Sequence, residues 1–282
     1  MADVVMDSAV EMDKIIPEVW SSRYYDALLV DLVFNSIIAK DYEGEIQDLG
    51  DTVNIASFPE FAAADELAEE AAQDADGITI TSQQLVINKM VVKDFIVTKK
   101  AMLQSQPHMD KLRELAVFAV LKKIQALIIA AIVPSAAAPD HQIGYTSGTT
   151  LALADILAAK ELLDLQNVPA GDRYLVFGAA QANDVFAITG FTSSDYLLAG
   201  APLATGEVPS ALVGFQPKMT NAQTANVSTF FHKSFMTMAS QQGMNVAVYD
   251  QAGIAGKRQT RVNVDTLFGL KQLDNKRVVA IA

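Results

Sequence analysis

Residues 52–58 read TVNIASF, residues 59–77 read PEFAAADELAEEAAQDADG, and residues 85–97 read LVINKMVVKDFIV. The first stretch alternates and reads as a strand, with Val53 and Ile55 on one face. β character resumes at Ile78–Ile80 and runs through 85–97. The middle stretch carries seven acids and no base. A short helix at a hairpin tip and a loop both suit it. The order is therefore strand, long acidic tip, strand, which describes an extended two-stranded arm. A lone hairpin of this length has little core of its own and must lie on something else. Nothing else in the chain obviously covers it.

Downstream lies the clearest helical pattern, residues 107–133. Asp110, Lys111, Arg113 and Glu114 charge its first turns, and Lys122, Lys123 and Gln125 mark its middle. The apolar side chains, Leu121 and Ile128 among them, point in nearly every direction around the axis. A helix of that kind is surrounded, by its own domain and by neighbouring copies. It would span roughly 40 Å before Pro134 ends it. Upstream, residues 17–39 read as an amphipathic helix with Pro17 at its first position. Trp20, Tyr24, Leu28 and Leu32 step by four and form a stripe seeking a partner surface. Residues 41–51 (DYEGEIQDLGD) connect that helix to the arm.

The C-terminal half alternates helices and strands. Residues 135–150 read as loop, 151–166 as a helix, 173–177 (RYLVF) as a buried strand and 179–189 as a helix. Residues 190–209 form a Gly- and Pro-bearing loop. Strands are expected at 211–219 (ALVGFQPKM), 229–236 and 244–248, and two more in 262–282 around a turn at Asp274–Asn275. The fold class is α+β.

Composition limits the function. Of 282 residues, 51% are hydrophobic, none is cysteine, and 33 acids face 21 bases for a net charge of −12. Without cysteine there is no disulfide framework, thiolate metal site or cysteine nucleophile. So few bases make a poor sequence-independent grip on phosphates. The longest apolar run, 126–133, is too short to span a bilayer, so no membrane role is expected. Residues 1–14 lack the basic and apolar regions of a signal peptide, so synthesis and assembly in the cytoplasm are expected. The positive mean hydropathy of a chain without a span points to surface buried between subunits. The charge is split. Residues 1–83 hold three bases against 19 acids, a net of −16, and residues 84–282 hold 18 against 14, a net of +4. A solvated acidic arm and an arm docked on a basic neighbour both suit that asymmetry.

The search for catalysis finds no constellation. His108, His141 and His232 are far apart, with no carboxylate or histidine at ligand spacing. Residues 144–148 (GYTSG) place Ser147 one position too late for a nucleophile elbow. Residues 253–257 (GIAGK) have the wrong spacing for a phosphate loop, and Arg258 stands where Ser or Thr is required. Glu66, Glu69, Glu70 and Asp74 are dense, yet no apolar pocket separates their pKa values, and the alternating acids of a calcium loop are missing. No catalytic, cofactor or metal residue is assigned. The residues argue for a protein whose work is contact.

The ordered set of elements resembles the major capsid proteins of tailed bacteriophages, with the Hong Kong 97 fold. Residues 17–58, with DYEGEIQDLGDTV, are similar to that family's N-arm and connector. Residues 107–133 resemble its spine helix, and RYLVFGAAQANDVF (173–186) and GEVPSALVGFQPKMTNA (206–222) its axial domain. The resemblance implies an N-terminal arm at 1–49, an E-loop at 50–97, and a peripheral domain at 98–150 to which part of 260–282 returns. It implies further an axial domain at 151–259 and C-terminal strands at 260–282. It also implies a shell protein of the virion. Hexamers and pentamers of the chain would close an icosahedral shell around double-stranded DNA held without sequence-specific binding. A scaffolding protein and a portal are expected partners, and a decoration protein an optional one. The candidates for contacts between subunits are Trp20, Tyr24, Leu28, Phe58, Phe61, Glu66, Glu69, Glu70, Asp74, Lys122, Lys123, Lys257 and Arg258. An encapsulin-like compartment, a minor capsid or decoration protein, and an α/β enzyme with an unrecognised site are the alternatives.

Overall fold

The computed structural model of the chain describes residues 32–43, 50–59, 61, 66, 77–98, 100, 106–188, 211–224, 226–250 and 259–282. Two sheets organise it. The first is long, antiparallel and four-stranded. It is built from β1 (Thr52–Ser57), β2 (Thr81–Thr98), β8 (Gln259–Gln272) and β7 (Met236–Asp250), side by side in that order. The second has five strands in the order β3 (Gln142–Ile143), β9 (Val278–Ile281), β6 (Ser228–His232), β4 (Arg173–Phe177) and β5 (Gln216–Met219). Four helices accompany them among the described residues: α1 (Phe34–Ile37), α2 (Gln106–Ala130), α3 (Leu153–Leu165) and α4 (Ala179–Ala187). The α+β class expected from the sequence is borne out.

The arm is where the sequence reading needs most correction. β1 and β2 pair only from Thr52↔Val86 to Ser57↔Thr81. Beyond that β2 keeps a neighbour within the chain, because β8 runs beside it from Ile87 to Thr98. The chain therefore does cover the inner length of its own hairpin. Ile78 and Ile80 lie outside the strand and are exposed.

A single irregularity sets the faces of β2. Ile87 lies opposite Gly269 and Lys89 opposite Phe268, so Asn88 is an extra residue. An inserted residue moves every later side chain to the other face of the sheet. Before it, Leu85 and Ile87 are buried with Val53 and Ala239, beside Tyr42 of the connector. After it, Val91 joins Val264 and Phe268 under α2, with Phe95 packed against them. Gly269 sits at the switch. A Cβ there would lie 2.6 Å from the Val86 carbonyl oxygen, so only glycine permits the close approach.

α2 buries Ala116, Val120, Ile124 and Ile128, a four-residue step that lays one stripe on the long sheet. Its C-terminal end is tied to β8. The Gln272 amide accepts from the Val133 N–H at 2.9 Å and donates to the Val133 carbonyl at 2.7 Å. The observed helix ends three residues before the expected one.

The five-stranded sheet is covered on both sides. One face presents Tyr174, Val176, Phe231 and Val278 to the α2 core. The other presents Leu175, Phe177, Phe230, Val279 and Ile281 to Ile156, Ala159 and Leu163 of α3 and to Val185 of α4. Phe215 and Phe230 meet edge to face at 5.1 Å.

Other expectations shift. The strand expected at 211–219 shortens to β5, because Val213 and Gly214 adopt positive φ (51° and 88°) in a turn closed by Leu212 and Phe215. The strand expected at 229–236 is cut by a tight helical turn at Lys233–Phe235. Residues 244–248 are the middle of the much longer β7. The two C-terminal strands exist, but they enter different sheets. Of the expected helix 17–39, the described part is helical only at Phe34–Ile37, after which Ala39 bridges Thr237; the rest lies outside the described residues.

Candidate assembly surfaces

Most of the large exposed apolar side chains among the described residues fall on three surfaces. The first is the outer end of the hairpin. Six residue pairs join β1 to β2 there, and past the last pair Phe58, Phe61, Ile78 and Ile80 are 72, 70, 55 and 58% exposed. Among the described residues, these four large apolar groups at the end of a two-stranded projection have no core to enter.

The second surface is the far end of the long sheet. Past Asn88, β2 is an edge strand, and the sheet narrows to β2, β8 and β7. Met90, Val92 and Ile96 are exposed along one face of β2, and Tyr249 stands on that face of β7. Val246 and Val248 are exposed on the opposite face. Polar groups secure the centre of the ribbon. Asp94 pairs with Arg261. The Asp265 carboxylate accepts from the Gln242 and Asn245 amides at 3.0 and 3.4 Å.

The third surface is the outer side of α3. Ile156, Ala159 and Leu163 face inward, which leaves Leu153, Leu157 and Leu165 outside. A shallow groove runs along Leu157, Glu161 and Leu165, flanked by a Lys160–Asp164 ion pair at 3.7 Å. At exposures near one half, that pair adds little stability.

The contact candidates from the sequence are distributed among these features. Phe58, Phe61 and the exposed Glu66 belong to the hairpin end. Lys122 and Lys123 are exposed on α2. Trp20, Tyr24, Leu28, Glu69, Glu70, Asp74, Lys257 and Arg258 lie outside the described residues. The sequence reading missed the apolar rows on β2, β7 and α3. Those segments carry apolar residues on more than one face, so periodicity alone does not say which face a neighbour will cover.

The groups that resembled chemistry have structural partners. In the GYTSG segment, two small bridges, Tyr145 with Gly148 and Ser147 with Thr150, fold the loop on itself. Asp155, buried at the start of α3, accepts from the Thr146 and Ala152 N–H groups at 2.9 Å each and from the Thr146 hydroxyl. A carboxylate so employed is a cap that satisfies orphan donors. The Tyr145 hydroxyl meets Ser228 Oγ at 2.8 Å. Burial pushes that phenol above its ordinary value, and the Ser228 bond opposes the shift. His141 is buried, with Nδ1 3.0 Å from the Val278 carbonyl. No three His, Asp or Glu among the described residues are placed to hold a metal. None of the described helices is long and apolar enough to cross a membrane. The GIAGK segment and the His108 side chain lie outside the described residues.

Comparison with known proteins agrees with the element order. The sequence profile of the phage capsid protein family matches residues 66–282. No curated protein matches the chain. Among solved structures, that of Mycobacterium phage Che8 aligns with a TM-score of 0.76 at 22% identity, over 94% of this chain and 96% of that one. The capsid structure of the cyanophage P-SCSP1u aligns at 0.77 and 12% identity, over 95% and 93%. The mature capsid of bacteriophage PhiM1 aligns at 0.67 and 12% identity, over 94% and 90%. At such identities the likeness concerns the fold, and it bears out the Hong Kong 97 type expected from the order of elements.

Proposed function

The chain belongs to the phage capsid protein family, and on that premise we propose that it is the major shell subunit of a tailed bacteriophage. Its copies form hexamers and pentamers that close an icosahedral shell around double-stranded DNA. It is a virion protein, assembled in the host cytoplasm, and its work is contact, with no catalytic role. One observation carries the reading. The long sheet and its hairpin expose large apolar side chains on a projection that the described residues of the chain leave uncovered, Phe58, Phe61, Ile78 and Ile80 above all. A subunit built to lie across its neighbours accounts for that exposure.

In this reading residues 50–97 are the E-loop and residues 1–49 the N-arm, with the stripe of Trp20, Tyr24 and Leu28 laid on an adjacent subunit. Residues 98–150 with part of 260–282 form the peripheral domain, and residues 151–259 the axial domain. The acidic tip, with Glu66, Glu69, Glu70 and Asp74, faces basic groups of a neighbour such as Lys122, Lys123, Lys257 and Arg258. A separate scaffolding protein and a portal complete assembly, with a decoration protein as an optional addition. The net charge of −12 suits a shell that encloses DNA without gripping phosphates.

Electron microscopy of the chain co-expressed with its scaffold tests this. Closed particles are expected, and a species that stays monomeric or dimeric under every assembly condition overturns it. Deleting residues 59–77 should leave the subunit folded and prevent closure; normal shells from that variant would remove the contact role of the tip. Salt should weaken assembly intermediates, because exposed charge pairs are screened over about 8–10 Å at physiological ionic strength.

A further inference from the structure

The chain passes between the two sheets twice at one place. β6 leads to β7 through the tight turn Lys233–Phe235, and β8 leads to β9 through the tight turn Asn275–Arg277. The turns lie side by side. The Phe235 carbonyl accepts from the Leu273 and Asp274 N–H groups at 2.9 and 3.3 Å. Arg277 bridges them by side chain, donating from Nη1 to Ser234 Oγ at 2.6 Å and from Nε to Asp274 at 3.1 Å.

His232 stands at the root of this crossing. Its Nδ1 accepts from the Ser234 N–H at 3.2 Å and lies 2.8 Å from Ser234 Oγ. A nitrogen that accepts an N–H carries no proton of its own, so the ring is neutral with its hydrogen on Nε2. Ser234 Oγ already receives the Arg277 donor, so its hydroxyl hydrogen is free to point at Nδ1. The chain Arg277 to Ser234 to His232 thus runs in one donor direction and ends on the lone pair of the imidazole.

A proton at Nδ1 reverses that end. The Ser234 backbone N–H would face an N–H, the Ser234 hydroxyl would have to turn from donor to acceptor, and an imidazolium would stand beside the Arg277 guanidinium. The other charged groups facing the ring are Asp172 and Arg173 at the start of β4. Arg173 is the cross-strand partner of His232, and the Asp172 carbonyl accepts the Lys233 N–H at 3.1 Å. The Arg173 charge is already paired with Asp164 at 2.7 Å. Desolvation and then Arg277 hold His232 below its ordinary value, and Asp172 opposes them. The ring is only half-buried, so protons reach it from solvent.

We propose that His232, Ser234 and Arg277 form an acid-released clasp that fastens the two crossings, and with them the two sheets, only while His232 is neutral. A group whose folded value is depressed stabilises above its unfolded value, near 6.5, and loses that contribution as pH falls through the folded one. The clasp is shut at neutral pH and opens in mild acid.

Hydrogen exchange of the full chain, as subunits and as assembled particles, tests it between about pH 8 and about pH 5. After correction for intrinsic exchange, protection at residues 233–236 and 273–277 should fall roughly tenfold on acidification, the loss expected for about one net hydrogen bond. α3 should show no such fall. In His232→Gln the fall should vanish, since an amide oxygen accepts at every pH. In Ser234→Ala, which keeps the imidazole, the midpoint should move up in pH, because one donor that holds the ring neutral is gone. The Ser234→Ala result stands alone if the glutamine variant fails to fold. An equal fall in the wild type and in His232→Gln, an unmoved midpoint in Ser234→Ala, or no fall in the wild type overturns the proposal.

Discussion

The five-stranded sheet and the four-stranded sheet treat their apolar surface in opposite ways. The large side chains of the three central strands of the former are covered by the same chain, with Phe177, Phe230 and Phe231 fully buried, and only its edge strand β5 leaves one, Met219, exposed. The long sheet is covered under α2 and, before Asn88, beside Tyr42, and past Asn88 it exposes Met90, Val92 and Ile96 on one face and Val246 and Val248 on the other. The first arrangement stabilises a subunit by itself. The second leaves apolar area to be buried only when another copy arrives. One subunit therefore contains a finished core and an unfinished one, and in the proposed function the unfinished one is where assembly would gain its free energy.

The contrast can be broken most sharply at the finished core. Phe230→Ala should cost about 3–5 kcal/mol in urea unfolding of the subunit, because it removes a buried ring and leaves a cavity beside Phe215. Val246→Ala on the unfinished sheet should cost less than about 1 kcal/mol in the same measurement. Equal losses would mean the two sheets do not differ as described. Next in size is Gly269→Ala, which drives a methyl into the Val86 carbonyl at the face switch. A loss of about 1–3 kcal/mol is expected from such overcrowding, with faster exchange of the β1 and β2 amides.

A loss of about 0.5–2 kcal/mol is expected for Asp155→Ala, which removes the cap that accepts from Thr146 and Ala152. Exchange should rise in residues 144–152 and stay unchanged in β7. The double variant Met90→Ser with Ile96→Ser should alter subunit stability by no more than about 0.5 kcal/mol per site. Its yield of closed particles should nonetheless drop. Unchanged yield would show that this row is solvent surface in the shell as well.

The smallest effect concerns pH. Burial holds the Tyr145 phenol above its ordinary value of 10.0. Its contribution is present below the unfolded value and is lost as pH rises through the folded one. Tyr145→Phe should therefore show a flatter fall in stability above about pH 10.

Much of this was legible in the chain. The long helix was visible because charged first turns lead into a long apolar stretch that Pro134 ends, although the stripe that faces the sheet, Ala116, Val120, Ile124 and Ile128, was not. The buried strand RYLVF was visible because it is short, apolar and bounded by a PAGD turn. The arm was legible as a pair of strands, and Phe58 and Phe61, which the structure exposes, were among its contact candidates. What escaped notice was non-local. That β8 runs beside β2 depends on residues about 170 positions apart, and no periodicity reports such a pairing. The exposure of Met90, Val92 and Ile96 follows from the extra residue at Asn88, which looks ordinary in sequence. The clasp at His232 needs Arg277, 45 positions away, and a lone histidine beside a serine gives no sign of it.

The sequence by itself determined the class of protein. An apolar, cysteine-free chain with a split charge, a long two-stranded arm and no recognisable catalytic set reads as one that works by contact, and local periodicity is enough for that reading. Only the tertiary structure decided which surfaces are finished and which await a neighbour. Burial is a property of what stands opposite a side chain, and in a sheet that is set by register, where one inserted residue exchanges the inside for the outside.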